Sequence, residues 1–266
     1  MLAPTVSELS LYPVKSCSGH QVETFALDRF GPAGDRRWMI TDPDGRFLTQ
    51  REYPRLALVR VAVQAGGGLH LTNGSSTCEV ALPATGAVSR RVDVWGDQVQ
   101  ALDAGDAAAA WLSRHLDTPC RLVYMPQDSK RPVDPAFADA GQTVSFADAF
   151  PLLLISRASL DDLNSRLPQP VPMNRFRPNL VVGGCEPFAE DSWRRIRVGS
   201  VEFDVVKACQ RCSIPSIDQA TAERDGSINR VLASYRRFDR KILFGQNLLY
   251  SGGGRIAVGD PVTILQ

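Results

Sequence analysis

Two thiols pose the chemical question. Cys209 and Cys212 lie in Lys207-Ala208-Cys209-Gln210-Arg211-Cys212. Upstream come Asn174-Arg175-Phe176-Arg177-Pro178-Asn179 and the run from Gly184-Cys185 to Ser192-Trp193. A thiolate suits a soft or high-valent metal. Guanidinium and carboxamide groups suit a phosphate and the edge of a heteroaromatic ring. These residue types in one short stretch describe a site holding a metal on an organic, phosphorylated carrier.

The Cys-x-x-Cys spacing leaves other readings open. Such a pair can be half a zinc site, a redox dithiol, or one metal ligand with a neighbour. Zinc needs four ligands, yet there is no second such pair, and the three histidines, His20, His70 and His115, are scattered. A dithiol belongs at a strand-to-helix start, where the helix lowers the thiol pKa. Pro215 follows Cys212 too closely for an immediate helix. Cys17, Cys78 and Cys120 read as core or turn residues, Cys209 as a small buried one, and Cys185 as part of a structural turn.

A second group lies near the N-terminus. Lys15 and Ser16 follow Pro13, and Arg36 sits in Asp35-Arg36-Arg37-Trp38. A lone Lys-Ser is ordinarily surface. With Arg36 the three can satisfy a phosphate monoester by charge-assisted hydrogen bonds. Arg177 and Asn179 flank Pro178. The plain alternative for Arg177 is an ion pair with Glu190 or Asp191. Arg175 is a weaker candidate.

The elements that must position these groups are mostly strands. Thr5 to Tyr12 and Trp38 to Thr41 read as strands, and Leu56 to Val63 as another with Val59, Val61 and Val63 on one face. Asp44-Gly45 and Asn73-Gly74 are hairpin turns. Gly66-Gly67-Gly68 is a loop with no helix start to hold a phosphate. Asp106 to Leu116 is an amphipathic helix capped by Asp106. Pro126 to Gly141 is a long polar loop. Leu152 to Ile155 is a buried strand, followed by a helix over Ser156 to Leu167 with Ser156 as its cap. Strands follow at Leu180 to Val182 and Val201 to Val206. A helix covers Ser227 to Phe238 with Ile228, Val231, Leu232 and Tyr235 inward. Gly253 to Gln266 holds two short strands.

Composition narrows the rest. The 266 residues carry a formal charge of +1, so no general attraction to nucleic acid or to a membrane surface is expected. No apolar run approaches the roughly 20 residues that cross a bilayer. The start lacks a basic region with an apolar stretch after it. The expectation is a cytoplasmic protein with reduced thiols, because six cysteines are too few for a disulfide scaffold. There is no Gly-x-Ser-x-Gly elbow, no dinucleotide fingerprint, and no plant-type run of cysteines for an iron–sulfur cluster. Arg194-Arg195 and Arg236-Arg237 with Arg240-Lys241 read as solvated faces, one of which suits an acidic electron donor.

These segments resemble the MOSC family, named for the C-terminal domain of molybdenum-cofactor sulfurases. The nearer likeness is to the two-part branch that includes the amidoxime-reducing proteins. The resemblance runs through Tyr12 to Cys17, Gly34 to Trp38, Pro151 to Leu167, Phe176 to Val182, Gly184 to Trp193, Cys209 to Cys212, Leu243 to Asn247 and Val258 to Val262. It implies a β-rich α+β fold, with a small N-terminal β-barrel-like domain over residues 1–120 packed on a MOSC β-barrel domain with a few helices over 121–266. It implies Cys212 as the protein ligand of molybdenum and the catalytic centre. Lys15, Ser16, Arg36, Arg177, Asn179, Arg211 and Asn247 match cofactor contacts, Arg211 more through its backbone than its side chain. The cofactor implied is Mo-molybdopterin rather than pyridoxal phosphate. The activity implied is reduction of small N-hydroxylated compounds, the oxygen leaving as water. Electrons are expected from a separate iron–sulfur, flavin or haem protein. The alternative is a cofactor or sulfur carrier without reductase activity. Ala149 and Phe150 stand where relatives have small hydroxyl residues, and Asn247 where some have an aromatic hydroxyl.

Overall fold

The computed structural model describes residues 3–266. Its largest sheet has nine strands. Across it run Val262–Ile264, Arg195–Val198, Val201–Gln210, Lys241–Tyr250, Leu152–Ser156, Leu180–Gly183, Thr5–Leu11 and His20–Val22, with Arg237–Phe238 off the main path. The Thr5–Leu11 strand also reaches back toward the last one. Val6 donates to Asp260 O at 2.9 Å, Gly259 to Val6 O at 2.9 Å and Val262 to Pro4 O at 2.8 Å. These bonds curl the sheet toward closure and pair an edge that would otherwise be open. Inside lie Leu9, Leu154, Leu180, Ile196, Phe203 and Leu248, all buried. Each contributes roughly 1.5–3 kcal/mol by leaving water.

Nearly all neighbours in this sheet are antiparallel, with one parallel exception. Leu152–Ser156 pairs parallel with Leu180–Gly183, with Leu154 opposite Leu180. Parallel neighbours need a crossover, and of the three helices one supplies it and another packs beside it. Helix α1 is Asp106–Leu116, α2 is Arg157–Arg166 and α3 is Ser227–Tyr235. The crossover passes through α2. Ser156 caps α2 as expected, its Oγ accepting from Ser159 N at 3.1 Å. Leu160 and Leu163 of α2 and Ile228 and Leu232 of α3 pack on Phe176 and Phe244 in a second core.

The remaining strands form smaller sheets. Gly254–Ala257, Thr24–Asp28 and Gly31–Pro32 make one; Trp38–Thr41, Arg121–Tyr124, Asp97–Asp103 and Ser89–Val94 make a second, and Arg60–Val63, Leu69–Thr72 and Thr77–Val80 a third, these last two sharing a core. Helix α1 covers them, with Trp111 and Leu112 against Leu56, Leu69 and Leu71. Strand pairing crosses the expected join at residue 120 in both directions. Thr5–Leu11 pairs with Leu180–Gly183, while Arg121–Tyr124 pairs with Trp38–Thr41. No helix among the described residues is long and apolar enough to cross a membrane.

Four local expectations are revised. Pro54–Leu58 is a 3-10 turn and the strand is only Arg60–Val63. Pro54 fixes φ and starts that turn, and Val63 ends 48% exposed. Gly105, not Asp106, is the N-cap of α1; Asp106 instead pairs with Arg121. Helix α3 stops at Tyr235, because Arg237–Phe238 turns back to pair with Lys241 and Ile242. The Val201 strand runs on to Gln210, which matters for the thiols.

Candidate active site

A cleft with about 130 Å³ of space open to water lies where the two parts of the chain meet. Lys15, Ser16 and Arg36 border it from the N-terminal part. Arg177, Asn179, Arg211, Cys212 and Asn247 border it from the C-terminal part. The eight residues singled out from sequence are thus brought together. Ala149 and Phe150 add an apolar stretch of wall, with Phe150 edge-on to Phe137.

The thiol side is built by one long strand and its exit. Along Val201–Gln210 the register with Lys241–Tyr250 slips twice, between Val205 and Lys207 and between Ala208 and Gln210. Each slip is a bulge that re-aims a side chain, and the second falls at Cys209. The chain then leaves the sheet. Arg211 N donates to Ile242 O at 2.8 Å, so its N–H is committed. Cys212 Sγ accepts from Ile214 N at 3.5 Å, and Asn229 of α3 donates to Cys212 O at 3.1 Å. The short turn Ile214–Ser216, with Pro215 at its start, replaces the helix a dithiol needs. Cys209 is not the buried filler expected. It is half-buried on the cleft, and Arg211 Nη1 lies 3.1 Å from its sulfur. Among the described residues no group of three or more His, Cys, Asp or Glu side chains converges on a metal position. The four-ligand zinc reading therefore lacks its ligands.

The opposite wall is cationic. Lys15 Nζ donates to Phe146 O at 2.8 Å and meets Asp148 at 2.5 Å. Burial pushes the Lys15 ammonium down to about 8, against the pull of Asp148. Against the cost of leaving water, Lys15 with Trp95 and Arg51 holds the carboxyl of Asp148 below its ordinary range. Arg36 Nη1 donates to Asn179 Oδ1 at 2.9 Å and pairs with buried Asp35. Its Nη2 donates to Arg177 O at 3.2 Å. Asn179 is nearly enclosed and also bonds Ser10 O through Nδ2 at 3.2 Å. It therefore ties Arg36 to the first strand. Asn247 Nδ2 donates to Lys207 O at 3.1 Å, which leaves its Oδ1 for a ligand.

Sequence reading missed buried Tyr12, which packs on two cations of this wall. Its ring lies between two guanidiniums, Arg36 at 4.5 Å and Arg177 at 4.3 Å from the centroid. Cation–π attraction of this kind offsets part of the repulsion between them. Asp148 and Arg51, both on the cleft, were also missed. Their partners lie far along the chain, Asp148 being 133 residues from Lys15, so no local pattern marks them. Arg175 does not reach the cleft; its Nη2 lies 3.5 Å from Asp218.

Ser16, Arg36 and Arg177 share a further property. Their φ angles are 67°, 46° and 58°, in the left-handed region where a non-glycine residue costs roughly 1–3 kcal/mol. Such strain persists where surrounding structure holds it, and here three instances face one cleft. Arg177 is 8% exposed, and burial pushes its guanidinium down to about 10. Its Nη2 has no partner, nor does Nε of Arg211. A buried unpaired donor is expensive. Five cations line the cleft against the single carboxylate of Asp148. Orphaned guanidinium donors, surplus positive charge and two accessible thiols fit an anionic ligand that carries a thiophilic metal.

Comparison with known proteins finds two family models along the chain. Residues 3–119 match the family model described as the MOSC N-terminal beta barrel domain. Residues 141–263 match the model described as the MOSC domain. The human protein named mitochondrial amidoxime-reducing component 1 is 37% identical, over 98% of this chain and 83% of its own. This chain belongs to the MOSC family. The mouse protein of the same name is 36% identical over 98% of this chain and 82% of its own. A rice MOSC relative named molybdenum cofactor sulfurase is 32% identical over 97% of this chain but only 34% of its own length. In this MOSC protein, Lys15, Ser16 and Arg36 fall within the first matched segment and the other five candidates within the second.

Proposed function

We propose that this protein is a molybdenum-cofactor-dependent reductase of small N-hydroxylated compounds, supplied with electrons by a separate iron–sulfur, flavin or haem protein. The observation that carries the reading is the cleft itself, where the Cys212 thiol shares the lining with five cations, among them buried Arg177 with an unpaired donor. The names of the amidoxime-reducing relatives support the choice of chemistry. Cys212 would supply the thiolate to molybdenum. Lys15, Ser16 and Arg36 would hold the anionic part of a pterin cofactor from one side, and Arg177, Asn179, Arg211 and Asn247 would hold it from the other. The cofactor, when bound, supplies the two-electron chemistry that removes oxygen from nitrogen as water.

The chain's own contribution is placement. The Ile242 and Asn229 bonds fix the turn at Cys212. The Arg36–Asn179 bond spans the two parts of the chain and fixes the cationic wall relative to the thiol. Phe150 and Leu153 keep water from part of the cleft, which strengthens the charged contacts there. The test is elemental analysis of protein made in a molybdenum-replete host, followed by turnover of an amidoxime with a reduced viologen. One molybdenum per chain with turnover is expected; absence of molybdenum overturns the reading. The sulfurase name of the rice relative favours a second reading, a carrier of cofactor or sulfur. Bound molybdenum without turnover would select it.

A further inference from the structure

We infer that the Arg237–Lys241 hairpin is the docking surface for an electron carrier with an acidic face, an inference that rests on the reductase reading above. The hairpin follows α3 and consists of Arg237–Phe238, the turn residues Asp239 and Arg240, and the start of the strand at Lys241. All five residues are exposed. Phe238 is 50% exposed, one of few large apolar side chains left in water. Lys241 lies across the hairpin from it, Arg237 and Arg240 are its near neighbours in the chain, and none of the three has an ion-pair partner among the described residues; Asp239 is the one carboxylate of the tip. The whole chain is nearly neutral at +1, so this excess is local. An aromatic anchor among arginines is the composition of protein–protein contact sites.

Two further observations point the same way. Asp239 and Arg240 have φ of 45° and 67°. A two-residue hairpin turn of this kind favours Asn-Gly or Asp-Gly; here an arginine is held where glycine is the easier residue. The hairpin is also wired to the site. Ile242 O accepts the N–H of Arg211, next to Cys212, and Leu243 N donates to Arg236 O at 2.9 Å. A carrier seated on the tip is therefore separated from the thiol by one sheet hydrogen bond and a few residues. Arg236 itself is not part of the docking charge. It is buried, pairs with Asp191 and lies 4.2 Å from the Phe188 ring. That corrects its reading as a solvated face.

The experiment uses the molybdenum-loaded full chain, an amidoxime, and two donors: reduced methyl viologen and a reduced plant-type ferredoxin, an acidic carrier. Wild type is compared with Arg240→Glu/Lys241→Glu, with Phe238→Ala, and with Arg197→Glu/Arg255→Glu as a control of equal charge change on other exposed strands. At low salt we expect ferredoxin-driven kcat/KM to fall tenfold or more in the first variant and severalfold in the second. Viologen-driven turnover should be unchanged in all, which also reports that the variants fold. Added salt should slow the ferredoxin reaction of wild type and bring it toward the charge-reversed variant. Equal ferredoxin rates in wild type and Arg240→Glu/Lys241→Glu, an equal loss in the control, or no ferredoxin-driven turnover despite viologen activity would each overturn the docking site. Absence of turnover with viologen in wild type would instead overturn the reductase reading beneath it.

Discussion

At Cys212 a sulfur-to-oxygen change tests the role of a single atom. Cys212→Ser should abolish amidoxime reduction and lower bound molybdenum, because a serine oxygen is a far harder ligand than a thiolate. Cys209→Ser should keep most of both, since its sulfur is engaged by Arg211. Equal loss in the two variants, read by elemental analysis beside turnover, would point to a paired role for the thiols. Lys15 offers a test by pH. Its ammonium titrates near 8 in the folded protein, against about 10.5 when free. Between those values the unfolded chain binds more protons, so this group makes the cofactor-free protein more stable as pH rises through the window. Anion binding goes the other way, because the positive charge is lost above about 8. Retained molybdenum should therefore fall between pH 7 and 9.5 while the melting curve of the cofactor-free form receives no loss from this group. Lys15→Gln should flatten the pH dependence of retention; an unchanged profile would remove Lys15 from the anion site. The candidates at this scale were legible in sequence because thiol, guanidinium and carboxamide announce their chemistry. Tyr12, Asp148 and Arg51 were not, since each matters only through a neighbour that folding brings to it.

Elements decide how those side chains are aimed. The cap of α2 is a case where sequence sufficed. Ser156 precedes a helical apolar stripe, and its Oγ accepts from Ser159 N. Ser159 Oγ in turn donates to buried Glu190 at 2.7 Å, and Ser156 N donates to the same carboxylate at 3.0 Å. Ser156→Ala should cost roughly 1–2 kcal/mol by removing the cap, seen as a lower urea midpoint with an unchanged slope. An unaltered midpoint would show that Glu190 or water replaces the cap. The strand through Cys209 is the opposite case. Its length was underestimated because the bulges interrupt the alternation of faces, and the apolar alternation stops at Val206 although pairing continues to Gln210. Helix α3 was overestimated for a related reason. Arg236 to Phe238 keeps a helical composition, and only pairing with Lys241 and Ile242 ends the helix.

The whole molecule carries a prediction about divisibility. The first strand completes the large sheet beside Leu180–Gly183, and Arg121–Tyr124 belongs to the sheet of Trp38–Thr41. Fragments 1–120 and 121–266 would each expose an unpaired edge and half of a core. Neither should unfold cooperatively alone, and mixing them should restore a transition in a denaturant series. A cooperative melt of either isolated fragment would show that the cross-pairing is dispensable. The amino-acid sequence by itself determined the β-rich class, the short elements and the set of residues with the right chemistry, because propensity, spacing and side-chain type are local properties. Tertiary structure alone decided that Lys15, Arg36, Arg177 and Cys212 face one cleft, that Asn179 ties Arg36 in place, and that Arg236 is buried while Arg240 is free. Those facts depend on contacts between residues far apart in the chain, 143 positions for Arg36 and Asn179 and 45 for Arg236 and Asp191, and on strand register. A slip of one residue reverses which face a side chain meets, and local composition does not specify it.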